Sequence, residues 1–399
     1  MDAPTTFERI ASHVRGQADL LLDVSHSIHE NPELNFEERH AHDVLCAALD
    51  AAGLDVEPHA YGLDTAFAAR AGTEGPLVAI ICEYDALPDI GHACGHNVIA
   101  AAGLGAGIAA AAMAQELGGR VVVLGTPAEE GGGGKVLMAR AGAFDDVSAA
   151  MMIHPADADL TGMDTIAIHQ VEVEYTGQEA HAAAHPELGR NALDAAVLGY
   201  VNVAALRQHI GPAERVHGIF TDGGAKPNIV PGHAAALWYV RSPSLASLQP
   251  LKERVLGCLH AGASASGCTM SHQWNDTPYA DMLDNPALLA AFSANAARLG
   301  RHHIPSTAQT NVVGSTDMGN VSYLTPSIHP MLRVAPAGVS IHTLEFARHA
   351  GGPGGDAAVI DGATSMAATV ADLWTDPTIR AEAQAGLAAA TEGGHPPGI

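Results

Sequence analysis

The segment IGHACGHN, residues 90–97, places two histidines and a cysteine within five residues. Cys94 and His96 are separated by one glycine, which permits a tight turn with both side chains on the same side. A thiolate and an imidazole together suit zinc and neighbouring transition metals. The same residues are compatible with a cysteine nucleophile or with a polar turn around a buried thiol. The segment alone therefore leaves three interpretations open.

A second candidate group is the pair of adjacent carboxylates in PAEEGGGGK, residues 127–135. One of Glu129 and Glu130 could bind a metal while the other transfers protons. Because neighbouring residues of a regular strand point to opposite faces, this division requires an irregular loop, which the following glycines favour. The alternative is a solvated acidic turn. A P-loop is excluded, because Glu129 stands where its first glycine would be and Val136 replaces its Ser or Thr.

Three further polar residues follow apolar segments: Asp85, His154 and His342. A single histidine in such a position is more often structural than a ligand. However, the carboxyl ends of strands in a parallel sheet meet at one edge, where ligands bind. With Cys94, His96 and Glu130, these residues predict a metal centre at the ends of four strands.

The elements that must position these residues alternate along the first part of the chain. Short apolar segments at 76–84, 120–127 and 148–155 predict buried strands, and helices are expected at about 98–117 and 133–141. This alternation predicts an α/β fold with a mainly parallel sheet and helices on both faces. The run at 98–114 is almost long enough to span a membrane, but its Ala and Gly content favours a buried helix.

The pattern changes at about residue 166, where residues alternate with a period of two. The expected order is then strand, helix, strand, strand, helix, strand, which is the split ferredoxin-like arrangement (βαββαβ). After residue 283 the chain returns to longer helices. We therefore expect a catalytic α/β domain formed by 1–165 and 284–399, with a small α+β domain, 166–283, inserted into it.

Composition limits the classes of function. Acidic residues outnumber basic ones by 44 to 19, for a net charge of −25, which disfavours nucleic acid as a partner. The five cysteines are odd in number and lack disulfide-type spacing, which favours a reducing compartment. The N-terminus has no apolar signal core, and no membrane association is expected. These observations predict a cytoplasmic protein.

Several motifs together resemble the M20 family of metallopeptidases and amidohydrolases, in particular its amidohydrolase branch, which includes N-acyl-amino-acid hydrolases and dipeptidases. The matching segments cover the chain from about residue 25 to 370 and are NPEL (31–34), DALP (85–88), HACGHN (92–97), PAEEGGGGK (127–135), IHP (153–155), AHAAAHPELGRNALDAA (180–196), PNIVPG (227–232) and HTLEF (342–346). The combination of DALP and HACGHN with PAEEG is specific.

The resemblance implies two divalent metal ions per subunit, with zinc favoured and manganese, cobalt or nickel as alternatives. The ligands that it implies are Cys94, His96, Glu130, His154 and His342. Glu129 would be the general base and acid, and Asp85 would orient a ligand. The implied reaction is hydrolysis of the amide bond of an N-acyl amino acid or a dipeptide-like molecule, with a metal-bridging water as nucleophile.

The resemblance also assigns residues in the inserted domain, which would serve as a dimerisation and lid domain in a homodimer. His181 would reach the partner subunit's site and stabilise the oxyanion, although His185 competes for that role. Asn228 and Arg241 would bind the substrate's carbonyl and carboxylate. Their ordinary interpretations are a turn residue and a strand-end arginine.

One residue departs from the family pattern, and two other functions stay open. The family usually has Asp after ACGH, whereas this chain has Asn97, which leaves the hydrogen bonding near His96 undefined. A cysteine amidase that uses Cys94 as nucleophile is the first alternative. A non-catalytic metal-binding protein is the second, although it would have no need for Glu129.

Overall fold

The computed structural model describes residues 4–306 and 313–392. Within them the chain forms two compact units, one that runs to Asp164 and resumes at Met282 and one that comprises Thr165–Asp281. The sequence pattern predicts the corresponding boundaries at 166 and 283. The ends of the predicted catalytic domain, residues 1–3 and 393–399, lie outside the described residues.

Helices and short strands alternate along the described residues. The helices are α1 (Thr6–Gly16), α2 (Ala18–Glu30), α3 (Arg39–Ala51), α4 (His96–Leu117), α5 (Gly134–Arg140), α6 (Ala192–Leu206), α7 (Leu245–Ala265), α8 (Pro286–Ala297), α9 (Met318–Ser322), α10 (Leu344–Ala350), α11 (Pro353–Thr375) and α12 (Pro377–Ala390). The strands are β1 (Asp55–Pro58), β2 (Phe67–Ala71), β3 (Leu77–Glu83), β4 (Arg120–Thr126), β5 (Val147–Met151), β6 (His154–Ala156), β7 (Asp164–Thr165), β8 (Ala167–Thr176), β9 (Arg215–Asp222), β10 (His233–Ser242), β11 (Thr269–Trp274), β12 (Val313–Gly314), β13 (Ser327–Ile328) and β14 (Met331–Arg333).

The first unit is built on a six-stranded sheet in the order β1-β2-β4-β3-β5-β13. The pairs from β4 to β13 are parallel, as the alternation of strands and helices predicts. Strands β1 and β2 extend the sheet in antiparallel orientation and were not expected from the sequence. Because β3 and β4 are neighbouring parallel strands, the loops that follow Glu83 and Thr126 leave the same edge of the sheet.

Both faces of this sheet are covered, because successive residues of β3 enter different hydrophobic clusters. Val78, Ile80 and Cys82 pack in the cluster that contains residues of α1, α2, α4, α8 and α11. Ala79 and Ile81 pack in the cluster that contains Met138 of α5 and residues of α9. The prediction of helices on both faces is confirmed.

Helix α4 carries the long Ala- and Gly-rich run through the centre of the first unit. It meets the length and composition of a membrane span, but 83% of its most apolar window is buried within the structure. Its glycines permit close packing on the sheet: a Cβ added at Gly103 would lie 2.5 Å from Cys82 Sγ, and one at Gly107 would lie 2.1 Å from Val123 Cγ2. The expectation of a buried helix is therefore right.

The second unit is an antiparallel sheet in the order β11-β8-β10-β9, with helices α6 and α7 packed against each other. Its elements follow one another as strand, helix, strand, strand, helix, strand. Residues of β8 alternate between buried and exposed along Val171–Thr176, as the period of two in the sequence indicates. The core of this unit is formed by Trp238, Tyr175 and aliphatic residues of α7.

We predict that Gly107→Ala lowers the free energy of unfolding by about 1–3 kcal/mol, because the added methyl overpacks the contact between α4 and Val123. The matched control is Gly16→Ala, since a Cβ at Gly16 meets no atom within 4 Å. Urea denaturation of both variants measures the effect. Equal midpoints for the Gly107 variant and the wild type would show that α4 does not lie as close to β4 as described.

Candidate metal centre

Asp85 joins the two loops that leave neighbouring strands β3 and β4. Its Oδ1 lies 3.1 Å from His96 Nδ1, and its Oδ2 accepts a 2.9 Å hydrogen bond from the Glu130 N–H. The carboxylate is buried. Burial acts to raise the pKa of Asp85, but His96 and the Glu130 N–H outweigh it and the pKa is lowered. Asp85 is therefore an anion that fixes the positions of two candidate ligands.

The predicted ligands come together in two overlapping groups. Donor atoms of Cys94, His96 and His154 lie within 4.8 Å of one another, and so do those of Cys94, Glu130 and His342. Cys94 Sγ is 3.4 Å from His154 Nε2, and Glu130 Oε1 is 3.4 Å from His342 Nε2. Sharing of Cys94 between the groups places two potential cation positions side by side.

The donor atoms fit divalent cations by their chemistry and by their lack of other partners. His96 Nε2 and Glu130 Oε1 are buried, and within the described residues neither makes a hydrogen bond. Buried polar atoms normally have a partner, because desolvation without one costs about 1–3 kcal/mol. A set of one thiolate, three imidazoles and one carboxylate is a zinc-type ligand set.

The ring nitrogens of two histidines are assigned by their neighbours. His154 Nδ1 lies 2.8 Å from the Pro155 carbonyl oxygen, to which it must donate, so Nε2 carries the lone pair. His96 Nδ1 faces the Asp85 carboxylate and likewise leaves Nε2 for a cation. Burial lowers the pKa of His154 to about 4, which keeps its ring neutral.

The environment of Cys94 bears on the nucleophile hypothesis. Burial, followed by the nearby Glu130 carboxylate, raises the pKa of the Cys94 thiol well above its usual range. A reactive cysteine needs a lowered pKa and some exposure, and Cys94 has neither. Its thiolate requires a bound cation, which favours a ligand over a nucleophile.

His342 reaches the site differently from the expectation. The sequence pattern predicts it after a fourth strand, but it lies in a loop before α10 with a left-handed φ of 62°. Its N–H donates to the Ala93 carbonyl at 2.8 Å, which ties this loop to the segment that carries Cys94. The expectation of four strand ends is therefore wrong for His342, although its side chain still contacts Glu130.

The two adjacent glutamates converge because their loop is irregular, as the glycine run indicated. Ala128 has a φ of 59°, and its carbonyl accepts from the N–H groups of Gly132 and Gly133. The carboxylates of Glu129 and Glu130 then lie within 4.8 Å of each other and of His96. Burial, followed by Glu83 and Glu130, raises the pKa of Glu129 well above its usual range.

A buried charge network beside Glu129 was not found from the sequence. Lys135 Nζ lies 2.5 Å from Glu83 Oε1 and 2.7 Å from Asp317 Oδ1, and all three side chains are buried. Burial acts to lower the pKa of Lys135, but Asp317 and Glu83 outweigh it and the pKa is raised. Carboxylates of Glu83, Glu129 and Asp317 lie within 4.8 Å of one another, so the Lys135 ammonium neutralises an acidic group next to the site. The signal in the sequence was a lysine inside a glycine loop.

The residues assigned to the inserted domain lie in the second unit. His181 is exposed, and its Nδ1 accepts from the N–H groups of Ala183 and Ala184 at 3.3 and 3.2 Å. Asn228 lies beside it, because its carbonyl accepts from the Ala182 N–H. Arg241 lies on β10 and has a buried Nε that makes no hydrogen bond within the described residues.

Asn97 has a structural environment that explains the departure from Asp. It lies in α4 and is fully buried, and its amide donates to Ser25 Oγ at 3.0 Å and to the Ala350 carbonyl at 3.1 Å. These contacts join α4 to α2 and to the end of α10. A carboxylate cannot donate either bond and would face the lone pairs of the Ala350 oxygen.

We predict that Asn97→Asp destabilises the protein by about 1–3 kcal/mol, because it replaces two buried donors with a charge. Asn31→Asp is the matched control, since the Asn31 amide also donates to a carbonyl, that of Ser27, but at an exposed position. Thermal unfolding measures both variants. An Asn97→Asp protein as stable as the Asn31→Asp protein would contradict the assigned hydrogen bonds.

Comparison with known proteins places this site in a family. Residues 79–345 match peptidase family M20/M25/M40. The Xaa-Arg dipeptidase of Mus musculus is 39% identical over 93% of this chain and 89% of its own length. A p-aminobenzoyl-glutamate hydrolase of Escherichia coli is 30% identical, in one of its subunits, over 91% of this chain and 90% of that subunit.

Solved structures share the fold at lower identity. An aminobenzoyl-glutamate utilization protein from Klebsiella pneumoniae has a TM-score of 0.71 at 21% identity and covers 90% of this chain and 97% of its own. A Bacillus subtilis protein described as a dinuclear metal-binding peptidase from the M20 family has a TM-score of 0.67 at 21% identity, with 90% and 99% coverage. The chain belongs to peptidase family M20/M25/M40 and is a metal-dependent amidohydrolase of the dipeptidase type.

Proposed function

We propose that this amidohydrolase binds two divalent cations, zinc in preference to manganese, cobalt or nickel, and hydrolyses a dipeptide or N-acyl amino acid. The observation that carries the proposal is the pair of overlapping ligand groups that share Cys94. The cations, when bound, would polarise the scissile carbonyl and acidify the attacking water. The thiolate in the ligand set favours zinc.

Glu129 is the group that would move the proton. It is buried beside the two ligand groups but belongs to the loop rather than to either group that contains Cys94. Its raised pKa, caused first by burial, suits a group that takes a proton from water and passes it to the leaving amine. Asp85 would act as a positioning residue through His96 and the Glu130 backbone.

The substrate class follows from the relatives and from Arg241. One relative is named an Xaa-Arg dipeptidase and another a p-aminobenzoyl-glutamate hydrolase, and both names describe an amide bond next to an amino acid that carries a free carboxylate. The buried, unpartnered Nε of Arg241 supports binding of that carboxylate. We propose dipeptides with C-terminal arginine as the first substrates to test, with Asn228 on the carbonyl oxygen.

His181 suits a hydrogen-bond donor to an oxyanion. Because its Nδ1 accepts backbone N–H groups, the neutral ring carries its proton on Nε2. The competing residue, His185, instead lies 3.5 Å from the exposed Glu187 carboxylate. We propose that His181 donates from Nε2 to the substrate bound by the partner subunit.

The second unit carries features of an interface, and we propose that it is a ferredoxin-like domain that forms a homodimer. Helix α6 buries small residues, including Ala195, Ala196 and Gly199, and exposes the larger Val197 and Val201. This is the reverse of an ordinary surface helix. Strand β9 is at the edge of the sheet, and its exposed side chains include two large apolar ones, Ile219 and Phe220.

The cysteines support a proposed cytoplasmic location. All five are free in the structure. A site that depends on the Cys94 thiolate requires that thiol to stay reduced, which a cytoplasmic redox poise provides.

We predict that Glu129→Gln retains its metal but hydrolyses Xaa-Arg dipeptides on the order of 100- to 10,000-fold more slowly, because the amide cannot transfer the proton. Chelation should abolish wild-type hydrolysis, and added zinc should restore it. Metal analysis and steady-state kinetics test both statements. Rapid hydrolysis by a metal-loaded Glu129→Gln protein, or by metal-free wild type, would contradict the proposal, and the second result would favour Cys94 as a nucleophile.

We predict that mixing inactive His181→Ala and Glu129→Gln subunits recovers about one quarter of wild-type activity, since half of randomly formed dimers are hybrids with one complete site. Val201→Asp introduced into both proteins should give monomers by light scattering and prevent recovery. Hybrid dimers that form without regaining activity would argue against a site shared between subunits.

A further inference from the structure

The segment NPELNFEE, residues 31–38, contacts both loops of the metal centre but has no role in the proposed reaction. The Glu33 carbonyl accepts from the N–H of Ala86, which directly follows Asp85. The ring of Phe36 lies against Gly132, where an added Cβ would be 2.5 Å from Phe36 Cε2. The segment thus touches the loop after β3 and the loop after β4.

The carboxylate of Glu38 makes the contact nearest to the general base. Glu38 is completely buried, and its Oε1 accepts from the N–H groups of Phe36 and Ala128, both at 2.9 Å. Its Oε2 accepts from Thr65 Oγ1 at 2.8 Å. One side chain therefore joins the NPELNFEE segment to the residue immediately before Glu129.

This carboxylate does not serve the helix at whose start it stands. Glu38 is the N-cap residue of α3, yet its side chain makes no capping hydrogen bond. Glu33 performs that task, because its carboxylate accepts from the N–H groups of His40 and Ala41. Burial of a carboxylate is unfavourable, and here its hydrogen bonds are directed to the loops instead of the helix end.

The residue held by Glu38 has an unfavourable backbone conformation. Ala128 is buried at a φ of 59°, a left-handed value that non-glycine residues rarely adopt. Such a conformation persists only where surrounding contacts impose it. The N–H of Ala128 is bound by Glu38, and its carbonyl is bound by the N–H groups of Gly132 and Gly133.

We infer that Glu38 is a positioning residue for Glu129: it holds Ala128 in its left-handed conformation and thereby aims the general base at the reacting water. The inference rests on the proposed function for Glu129. Loss of the Glu38 bonds would let Ala128 relax and turn the adjacent carboxylate away. A displacement of about 1 Å at a reacting group can cost on the order of 100-fold in rate.

The test compares Glu38→Ala with Glu38→Gln and with Thr65→Val. Glu38→Ala should lower kcat on the order of 100-fold with little change in KM or metal content. Glu38→Gln should keep most activity, because its amide oxygen can accept both N–H groups while its NH₂ donates to Thr65. Thr65→Val removes the third hydrogen bond without touching Ala128 and should keep kcat. If Glu38→Ala fails to fold, Glu38→Asp replaces it, since the shorter side chain cannot reach both partners.

A second measurement separates failure of this inference from failure of the proposed function. Hydrogen–deuterium exchange of residues 126–133 in the metal-free protein should be faster in Glu38→Ala than in the wild type, Glu38→Gln or Thr65→Val. If the wild type hydrolyses no dipeptide, this exchange still reports whether Glu38 holds Ala128. Unchanged exchange and unchanged kcat in Glu38→Ala, or an equal loss in Thr65→Val, would overturn the inference.

Discussion

The structure depends on one buried carboxylate that fixes two loops at once. Asp85 contacts the ring of His96 with one oxygen and the backbone of Glu130 with the other. Those loops leave adjacent parallel strands, so the sheet brings them to the same edge and Asp85 sets their separation. An ionised carboxylate without partners would be too costly to bury, and its hydrogen bonds are therefore also what makes the arrangement specific.

The surrounding fold provides rigid support for this contact. Helix α4 begins at His96 and continues through the core, where glycines let it approach the sheet closely. His96 is thus fixed from one side by Asp85 and from the other by the helix that it begins. Behind Glu129, Lys135 balances Glu83 and Asp317, so the site has a fixed cation of its own beside the carboxylates. The site is buried in packed elements rather than displayed on mobile loops.

Much of the fold could be predicted because its signals are local. The strands β3 and β4 are short apolar runs bounded by Pro and Gly, and the inserted unit alternates with a clear period of two. Strand β1 was missed because most of its residues are exposed and carry no apolar pattern. The first predicted helix, 7–30, is two helices separated at Gln17, a break without a Pro or Gly at that residue.

The candidate site was predictable where motifs adjoin strands and less so where tertiary contacts decide. Cys94 and Glu130 stand beside strong breaks in the pattern. His342 is brought in by a left-handed turn and a bond to Ala93, which no periodicity reveals. Glu38 and Lys135 look like ordinary charged residues in sequence, and only their complete burial shows that they hold the site together.

Cys94 is central to this site as a ligand in a centre of two cations. X-ray absorption at the zinc edge, combined with metal analysis of the zinc-loaded protein, tests this role most directly. We expect two zinc ions per subunit and a sulfur scatterer at about 2.3 Å that is absent from the Cys94→Ser protein. A wild-type spectrum with only nitrogen and oxygen scatterers, or a single tightly bound ion per subunit, would contradict it.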